Sequence, residues 1–435
     1  MQHESYDAKL GTTLDRRPRG LKAHPHSQPG AEPRADVDAS LSISSADIGL
    51  SKDRVPLRVL HVVNRLDTGG TEYGVLKIIS GLGDTEFVQG LCTLRGFTPK
   101  LAEHPLLEKR LFVAGQSERG FQFPLFRLAR IMRTFRPDIV HSRNWGALEA
   151  IPAARLARVP VAIHSEHGYE LEMLSGLPAR RRLLRRGVYT MADQVFTVSQ
   201  ELRHYHARQA WLSPDRIRVI YNGVDAGRFR PRPELRLNLR PELGIPVDSF
   251  VIGSVGRLVR IKDFLTLLRA GECLVRRGVD ARIVLVGSGP ELSRLQEFVS
   301  SSSDISGRVF FLGVSDRVPD LMNIMDTYVV TSICEGMSNT LLEAMACGLP
   351  TVATRAGGNP EVVEENQTGC LFSPRDVNGL AENLYAFAVK KELRAQFGES
   401  ARRRILQTFA LERMLNEYCQ LYLSLAARRG LLVRR

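Results

Sequence analysis

The sequence predicts an α/β protein made of two doubly wound, parallel-sheet domains that face each other across a cleft. The chain has 435 residues, which is long for a single hydrophobic core. Short apolar runs alternate with helical patterns in two separate series, as in successive βαβ units. A Pro- and Arg-rich segment with weak periodicity, residues 226–248, lies between the two series and is interpreted as a linker.

Residues 1–55 precede the first series and are expected to form a disordered tail. They are rich in Gly, Pro, Ser, Ala and charged residues, with little apolar periodicity. The tail contains Asp36-Val37-Asp38, a spacing that resembles a metal-binding carboxylate pair. We expect no metal there, because no ordered scaffold is predicted around the triplet.

The first domain is predicted over residues 56–225. It opens with RVLHVV, a continuous apolar run typical of a buried parallel strand, followed by TEYGVLKIISGL with helical spacing. The same alternation continues through the domain. Further strands are predicted at 138–141, 161–164 and 194–199, and further helices at 126–133 and 179–190.

The second domain, predicted over residues 249–410, repeats this alternation. Its predicted strands are SFVIGSVG, ARIVLVG, RVFFLG, TYVVTS, PTVAT and GCLF. Residues 376–426 have an almost wholly helical pattern, and residues 411–435 are expected to form a terminal helix. In doubly wound sheets a ligand binds beyond the carboxyl ends of the strands, so the cleft is the expected site.

The composition is that of an ordinary globular protein in a reducing compartment. Hydrophobic residues make up 43% of the chain and charged residues 25%. No run approaches the roughly 18–20 apolar residues of a membrane span. The beginning, MQHESYDAKLG, lacks a secretory apolar core, and the six cysteines form no C-x-x-C pair. We therefore expect a cytoplasmic location and reduced thiols.

The net charge of +13 indicates an anionic partner or substrate. The predicted tail has as many basic as acidic side chains, so the excess belongs to the domains. No strand is rich in the aromatic residues that stack bases, and a nucleic-acid partner is not expected. The helical segment RRRLLRR can instead rest on the inner face of the cytoplasmic membrane, or it can be a solvated helix. Its arginines are Arg180, Arg181, Arg182, Arg185 and Arg186.

Segment 334–363, CEGMSNTLLEAMACGLPTVATRAGGNPEVV, carries the strongest chemical signal. It places Glu335 and Glu343 on either side of a polar turn, Ser338-Asn339, that can cap a helix over residues 341–347. A helix start offers free N–H groups and a partial positive charge.

The two glutamates and this helix start suit different parts of one ligand. N–H groups from Met337 to Asn339 suit a phosphate or a sugar, Glu343 suits the two ribose hydroxyls, and Glu335 can reach a transferred sugar. Because a sugar nucleotide contains all of these groups, the segment indicates a sugar-nucleotide site.

Two motifs follow predicted strands of the first domain. In LDTGGTE, Gly69 and Gly70 allow either close approach to a ligand or a tight strand-to-helix turn, and the absence of G-x-G-x-x-G disfavours a nicotinamide site. In IHSEHG, either His164 or His167 can point into the cleft to contact a sugar or place an acceptor. The two histidines alternate in an extended segment and face opposite sides, which disfavours a shared metal.

Cationic and glycine-rich turns follow the strands of the second domain. Arg257 and Lys262 lie near one point after its first strand and suit a diphosphate. Gly287 lies in a VGSGPE turn consistent with nucleotide binding, and Leu312 ends a strand where it can line a base pocket.

With these motifs assembled, residues 57–425 resemble a GT-B glycosyltransferase of family 4. The E-x7-E spacing of Glu335 and Glu343 carries the resemblance, supported by GRLVRIKDF, VGSGPE, FLG and YNGVDAGRF. The GGTE and HSEHG segments look most like sugar transferases of bacterial exopolysaccharide gene sets, including the exosortase-associated (PEP-CTERM) group.

The resemblance implies two Rossmann-like domains, a terminal helix that crosses back to the first domain, and retaining transfer from a UDP- or GDP-linked hexose. It implies no metal or other cofactor, and a lipid-linked or glycan acceptor. Arg257 and Lys262 would clamp the diphosphate, Glu343 would bind ribose, and Glu335 and His167 would meet the donor sugar, with His164 as the second choice. Met337 stands where many members carry phenylalanine.

Two other classes remain as alternatives to a glycosyltransferase. An epimerase or phosphorylase of this fold is disfavoured by the spaced glutamates and by the absence of a cofactor-lysine motif. A basic nucleic-acid-binding module gives no reason for these glutamates and cations to meet in one cleft.

Overall fold

The computed structural model describes residues 55–66, 70–98, 107, 110–115, 125–169 and 177–433. The Asp36-Val37-Asp38 triplet lies outside the described residues, and so do Gly69 and all but the last residue of the predicted tail.

The first domain contains a seven-stranded sheet whose strands all pair in parallel, in the order β3-β2-β1-β4-β5-β6-β7. Because parallel strands are joined by crossovers, helices cover both faces of the sheet. The strands are β1 (Leu57–Val63), β2 (Phe87–Thr93), β3 (Leu111–Val113), β4 (Ile139–Arg143), β5 (Val161–Glu166), β6 (Gln194–Thr197) and β7 (Ile217–Val219). The helices are α1 (Gly70–Glu86), α2 (Leu125–Phe135), α3 (Ala150–Leu156), α4 (Ala179–Met191) and α5 (Gln200–Ala210), with 3-10 turns at Trp145–Ala147 and Pro214–Arg216.

The second domain contains a six-stranded parallel sheet in the order β10-β9-β8-β11-β12-β13. All six strands predicted from the sequence are present. They are β8 (Phe250–Val255), β9 (Ala281–Val286), β10 (Val309–Phe311), β11 (Thr327–Val330), β12 (Thr351–Thr354) and β13 (Gly369–Phe372). The helices, including the one that precedes β8, are α6 (Leu235–Glu242), α7 (Phe264–Arg276), α8 (Leu292–Ser301), α9 (Val318–Asn323), α10 (Asn339–Ala346), α11 (Asn359–Val362), α12 (Val377–Val389), α13 (Lys391–Thr408) and α14 (Leu411–Arg428), with 3-10 turns at Arg260–Lys262 and Leu431–Val433.

Helix α6 lies inside the segment that we predicted as a linker, residues 226–248, and belongs structurally to the second domain. Its Arg240 is 1% exposed and donates to the carbonyl oxygen of Ile324 and, at 2.8 Å, to Asp326. Sequence periodicity missed the helix because its anchor is a polar pair between residues 86 positions apart.

Helix α14 packs back on the first domain, as the resemblance implied. Leu415, Tyr418 and Tyr422 are buried in one cluster with Val59 and Phe196 of the first sheet. The helix enters this position through a short parallel bridge between Val224 and Ala410. The predicted fold, two Rossmann-like domains with a returning terminal helix, is therefore confirmed.

Among the helices that the structure describes, none combines the length and the apolar character that crossing a membrane requires.

Candidate active site

Close backbone contacts assemble a loop at the carboxyl edge of the second sheet. The loop follows β11 and carries Glu335. A Cβ on Gly357, whose φ is +54°, would lie 1.6 Å from the carbonyl oxygen of Glu335. A Cβ on Gly336 would lie 2.3 Å from the carbonyl oxygen of His167, in the first domain. Only glycine allows these approaches, so Glu335 lies where the two domains meet.

Lys262 and Glu335, which the sequence placed in one site, form an ion pair. The Nζ of Lys262 lies 2.5 Å from Oε2 of Glu335, and Ser332 Oγ donates to the same oxygen at 2.9 Å. The two charged side chains are only 25% and 15% exposed. The pair therefore holds a cation and a carboxylate side by side, with part of each open to a ligand.

The start of α10 has the predicted cap. Ser338 is the N-cap, and its Oγ accepts a hydrogen bond from the backbone N–H of Leu341 at 3.3 Å. Asn339 is the first residue of the helix. Met337 is 5% exposed, with its side chain in the hydrophobic core, which leaves only its backbone for a ligand. The helix start thus lies directly after Glu335, as the spacing predicted.

Glu343, one turn inside α10, meets a lysine that sequence reasoning missed. Lys77 of α1 places its Nζ 3.9 Å from Oε1 of Glu343, and the two side chains are 18% and 14% exposed. Burial raises the pKa of Glu343 above its ordinary value, while Lys77 and Arg228 oppose that rise. The pair joins the first domain to the second. No sequence motif identifies Lys77. The only hint in the sequence is that Lys77 is a basic residue on the helix that follows the glycine pair.

The turns after β8, β9 and β10 stack on one another through glycines. Gly287 has a φ of +133°, and a Cβ there would lie 2.0 Å from the carbonyl oxygen of Gly256. The N–H of Gly287 donates to the carbonyl oxygen of Gly313 at 2.7 Å. Leu312 is half-buried beside this contact. Arg257 follows Gly256 with an exposed side chain that pairs with no other group in the described part of the chain.

The structure distinguishes the two candidate histidines. His164 is fully buried, with its Nδ1 2.8 Å from Ser142 Oγ and its Nε2 3.3 Å from Glu166, and does not reach the cleft. His167 is half-buried just after β5. Its backbone N–H donates to Asn144 Oδ1, and its ring Nε2 lies 2.9 Å from Ser165 Oγ. Our first choice, His167, is therefore the one next to the Glu335 loop.

A carboxylate of the second domain caps a helix of the first. Glu361 accepts hydrogen bonds from the backbone N–H groups of Gln200 and Glu201, the first residues of α5, at 2.8 and 3.0 Å. A helix start attracts negative charge, so this contact stabilises α5 and ties it to the second domain. The sequence analysis did not identify it, because nothing in the sequence links Glu361 to a helix start 160 residues earlier.

The arginines of α4 are less available than the sequence suggested. Arg185 is 0% exposed, lies 3.8 Å from Glu166 and stacks on Trp145, which corrects its placement on a membrane-facing surface. Arg182 and Arg186 donate to backbone carbonyls at the end of α5. Within the RRRLLRR segment, the exposed residues are Arg180, Leu183 at 62%, Leu184 at 46% and Arg186.

Within the described ranges, no group of three or more His, Cys, Asp and Glu side chains is arranged to hold a metal ion. The six cysteines are all free thiols.

The comparisons with known proteins agree with this fold and identify the family of the chain. Residues 68–228 match the family model Glycosyltransferase Family 4, and residues 236–404 match Glycosyl transferases group 1. The chain is 31% identical over 312 residues to a D-inositol 3-phosphate glycosyltransferase of Saccharomonospora viridis, covering 67% of this chain and 72% of that protein. It is 26% identical over 310 residues to the UDP-Gal:alpha-D-GlcNAc-diphosphoundecaprenol alpha-1,3-galactosyltransferase of Escherichia coli, covering 69% and 79%.

Solved structures show the same fold. HepE of Anabaena, crystallised with UDP, superposes with a TM-score of 0.74 at 22% identity, covering 85% of this chain and all of that one. A glycosyltransferase of Rickettsia africae gives a TM-score of 0.74 at 20% identity, covering 85% and 98%. Two parallel-sheet domains facing each other in this way define the GT-B fold. The chain belongs to the family 4 glycosyltransferases.

Proposed function

We propose that this enzyme is a retaining, metal-independent hexosyltransferase that uses a UDP- or GDP-linked sugar. The acceptor is a lipid-linked or polysaccharide glycan in exopolysaccharide or cell-envelope synthesis. The observation that carries the proposal is the Lys262–Glu335 pair beside the start of α10, with Glu343 one turn further and His167 across the cleft. Each part of a sugar nucleotide has a chemical partner in this arrangement.

The donor extends along the carboxyl edge of the second sheet. The nucleotide base lies against the glycine turns at Gly287 and beside Leu312. Glu343 accepts hydrogen bonds from the ribose hydroxyls. Lys262 and the unpaired Arg257 bind the diphosphate as two cations, which supplies the charge neutralisation that other enzymes obtain from a metal. Backbone N–H groups from Met337 to Asn339 meet the sugar or the phosphate.

Transfer proceeds on the face from which the leaving group departs. The bond between the anomeric carbon and the β-phosphate oxygen breaks, and the hydroxyl oxygen of the acceptor forms a bond to the same face. The hydroxyl proton passes to the departing β-phosphate. Lys262 and Arg257 stabilise the diphosphate, and Glu335 and His167 position the sugar.

Removing either cation tests the diphosphate clamp. By analogy with the loss of one preorganised oxyanion donor, Arg257→Ala or Lys262→Ala should lower kcat by roughly 10²–10³-fold, or about 3–4 kcal/mol. Arg260→Ala, an exposed neighbour that lines no part of the proposed clamp, is the matched control. Near-normal rates in both cation variants would reject the clamp.

The nature of the acceptor rests on the relatives. The name of the Escherichia coli relative specifies a glycan diphosphate on a polyprenol as acceptor, while a relative from Mycolicibacterium smegmatis is named for GDP-mannose. Both nucleotide bases therefore remain candidates.

A transfer assay tests the proposal as a whole. The protein is incubated in EDTA with a UDP- or GDP-hexose carrying ¹³C at C1, and with an N-acetylhexosamine diphosphate bearing a short lipid. We expect a product whose anomeric ¹³C signal has the configuration of the donor. A product of opposite configuration would refute retention, and a reaction that requires added Mg²⁺ would refute metal independence.

The membrane contact is proposed in a corrected form, through the exposed part of α4. Arg180 and Arg186 flank Leu183 and Leu184, so cationic and apolar groups are exposed on one helix. Each basic residue near an anionic surface contributes about 1 kcal/mol. The variant Arg180→Glu/Leu183→Glu should sediment less with phosphatidylglycerol vesicles, whereas Arg276→Glu on α7 should not change sedimentation. Equal sedimentation of all forms would reject the contact.

A further inference from the structure

A row of buried polar side chains runs beneath His167, between the first sheet and α14. Strand register places His61 beside His141, and Arg143 beside Ser165. Because side chains alternate along a strand, these residues share one face of the sheet. Tyr422 of α14 closes the row, and all five side chains are almost completely buried.

Arg143 fixes the direction of the hydrogen bonds on one side of the row. Its guanidinium has only donors and, among the residues that the structure describes, no carboxylate pairs with it. Nη1 lies 3.0 Å from His61 Nδ1, so Nδ1 accepts and the ring proton of neutral His61 is on Nε2. That N–H faces Gln89 Oε1 at 3.0 Å, and the Gln89 amide donates to the carbonyl oxygen of Ile79.

A second chain of hydrogen bonds leads from Tyr422 to the cleft. The Tyr422 hydroxyl is 2.7 Å from His141 Nδ1, and the other side chain that hydrogen-bonds to it is Arg143, which cannot accept. The tyrosine therefore donates to His141, whose own proton is on Nε2 and faces Ser165 Oγ at 2.9 Å.

The serine completes the chain. Its hydroxyl proton has two acceptors within reach, His167 Nε2 at 2.9 Å and the carbonyl oxygen of Ser142 at 3.5 Å. The shorter contact is the stronger one. Accepting at Nε2 leaves the single proton of a neutral His167 on Nδ1, which has no hydrogen-bond partner in the described structure and is not among its fully enclosed polar atoms. The backbone carbonyl oxygen of the same residue lies against Gly336 of the Glu335 loop.

We infer that Tyr422, His141 and Ser165 form a relay that holds His167 as its Nδ1–H tautomer, so that the histidine presents a fixed hydrogen-bond donor to the bound substrate and not a general base. The relay depends on geometry alone, while the identity of the oxygen that receives the hydrogen bond rests on the proposed function. Tyr422, His141 and Ser165 are positioning residues, and the returning helix α14 thus helps to complete a site in the cleft.

Electrostatics keeps each ring in one protonation state. Burial, and then Arg143, lowers the pKa of His167 to about 3 and that of His141 well below its usual range. Around His167, Glu166 opposes this effect and His164 adds to it. Both rings are therefore neutral near pH 7, with one proton each to place.

The tautomer can be measured directly on the ligand-free full-length protein. Histidine labelled with ¹⁵N in the ring is incorporated, and long-range ¹H–¹⁵N correlation distinguishes protonated from unprotonated ring nitrogens. The His167 signals are assigned by their loss in His167→Gln. We expect an unprotonated Nε2 and a protonated Nδ1. The opposite pattern would overturn the inference, and it would do so whether or not the protein transfers a sugar.

Two variants test the relay itself. Tyr422→Phe and, separately, Ser165→Ala should shift the His167 signals towards a mixture of tautomers. Tyr418→Phe is the matched control, because Tyr418 is equally buried on the same helix and its ring lies 6.0 Å from His141, outside the relay. His167 signals that stay unchanged in both relay variants, with the fold verified by circular dichroism, would refute the relay.

Discussion

Replacing Asp326 with asparagine tests how α6 is held on the second domain. The carboxylate is 7% exposed and accepts from Arg240 and from the backbone of Val251, both at 2.8 Å. Arg236 adds an ion pair at 2.9 Å. Asparagine keeps the shape and one oxygen but leaves the buried Arg240 without its counter-charge.

Breaking a buried ion pair on one side costs about 3–5 kcal/mol. Since asparagine preserves part of the hydrogen bonding, we expect a loss near 3 kcal/mol in the free energy of unfolding. At 2–4 °C per kcal/mol for a domain of about 150–250 residues, the unfolding transition of the second domain should move down by roughly 6–12 °C. Differential scanning calorimetry measures the shift.

An exposed pair of the same type is the control for this substitution. Asp304 pairs with Arg276 at 2.6 Å, but the two side chains are 28% and 62% exposed. Asp304→Asn should therefore cost only about 0–1 kcal/mol. Similar Tm shifts for the two variants would refute the assignment of Asp326 as a buried anchor.

The pH dependence provides a second test of Asp326. Although burial alone raises it, Arg236 and Arg240 bring the pKa of Asp326 below its ordinary value of 3.8. A lowered carboxylate pKa stabilises the fold above the unfolded pKa, and the contribution is lost as pH falls through the folded pKa. The difference between wild type and Asp326→Asn should be complete near neutral pH and shrink below 3.8.

Three further predictions concern the site. Gly287→Ala should cost about 1–3 kcal/mol in urea unfolding, since it forces a side chain into a conformation reserved for glycine; Gly187→Ala, on an open helical position, should cost nothing. Glu361→Gln should weaken the cap of α5 by about 1 kcal/mol. Amide hydrogen exchange should then accelerate in the first turn of α5 but not in α7. The pKa of Glu343 lies above its ordinary value of 4.5. In wild type, nucleotide affinity should therefore fall as the pH drops through this raised pKa, because the ribose hydroxyls need an ionised acceptor. Glu343→Gln should bind weakly with a flat pH profile in calorimetry, and a flat wild-type profile would contradict the assignment.

Much of the fold could be predicted because its signals are local. The six strands of the second domain are continuous apolar runs. The start of α10 is equally local, because the cap is a contact between Ser338 and Leu341, three residues apart. Strand β2 was missed because its interior contains Gln89 and Gly90, which weaken the apolar signal. In the structure Gln89 is buried through hydrogen bonds to His61 and Ile79, partners that no local pattern shows.

The parts of the site that could not be predicted are contacts over long sequence distances. Lys77 meets Glu343 and Glu361 caps α5 only because the two domains come together. The burial of Arg185 depends in the same way on Glu166. The sequence did give the main candidates, because Glu335, Lys262 and His167 each follow the end of a strand and parallel strands end at one edge.

The most direct test of the account is calorimetric titration of UDP and GDP into the protein in EDTA. The account predicts that one of them binds, that Glu343→Ala abolishes binding, and that Glu365→Gln, an exposed glutamate paired with Arg355, leaves it intact. In a parallel melt, ligand at 100 times its Kd should stabilise the protein by about 2.7 kcal/mol. Binding of neither nucleotide, or binding that survives Glu343→Ala unchanged, would contradict the proposed donor site.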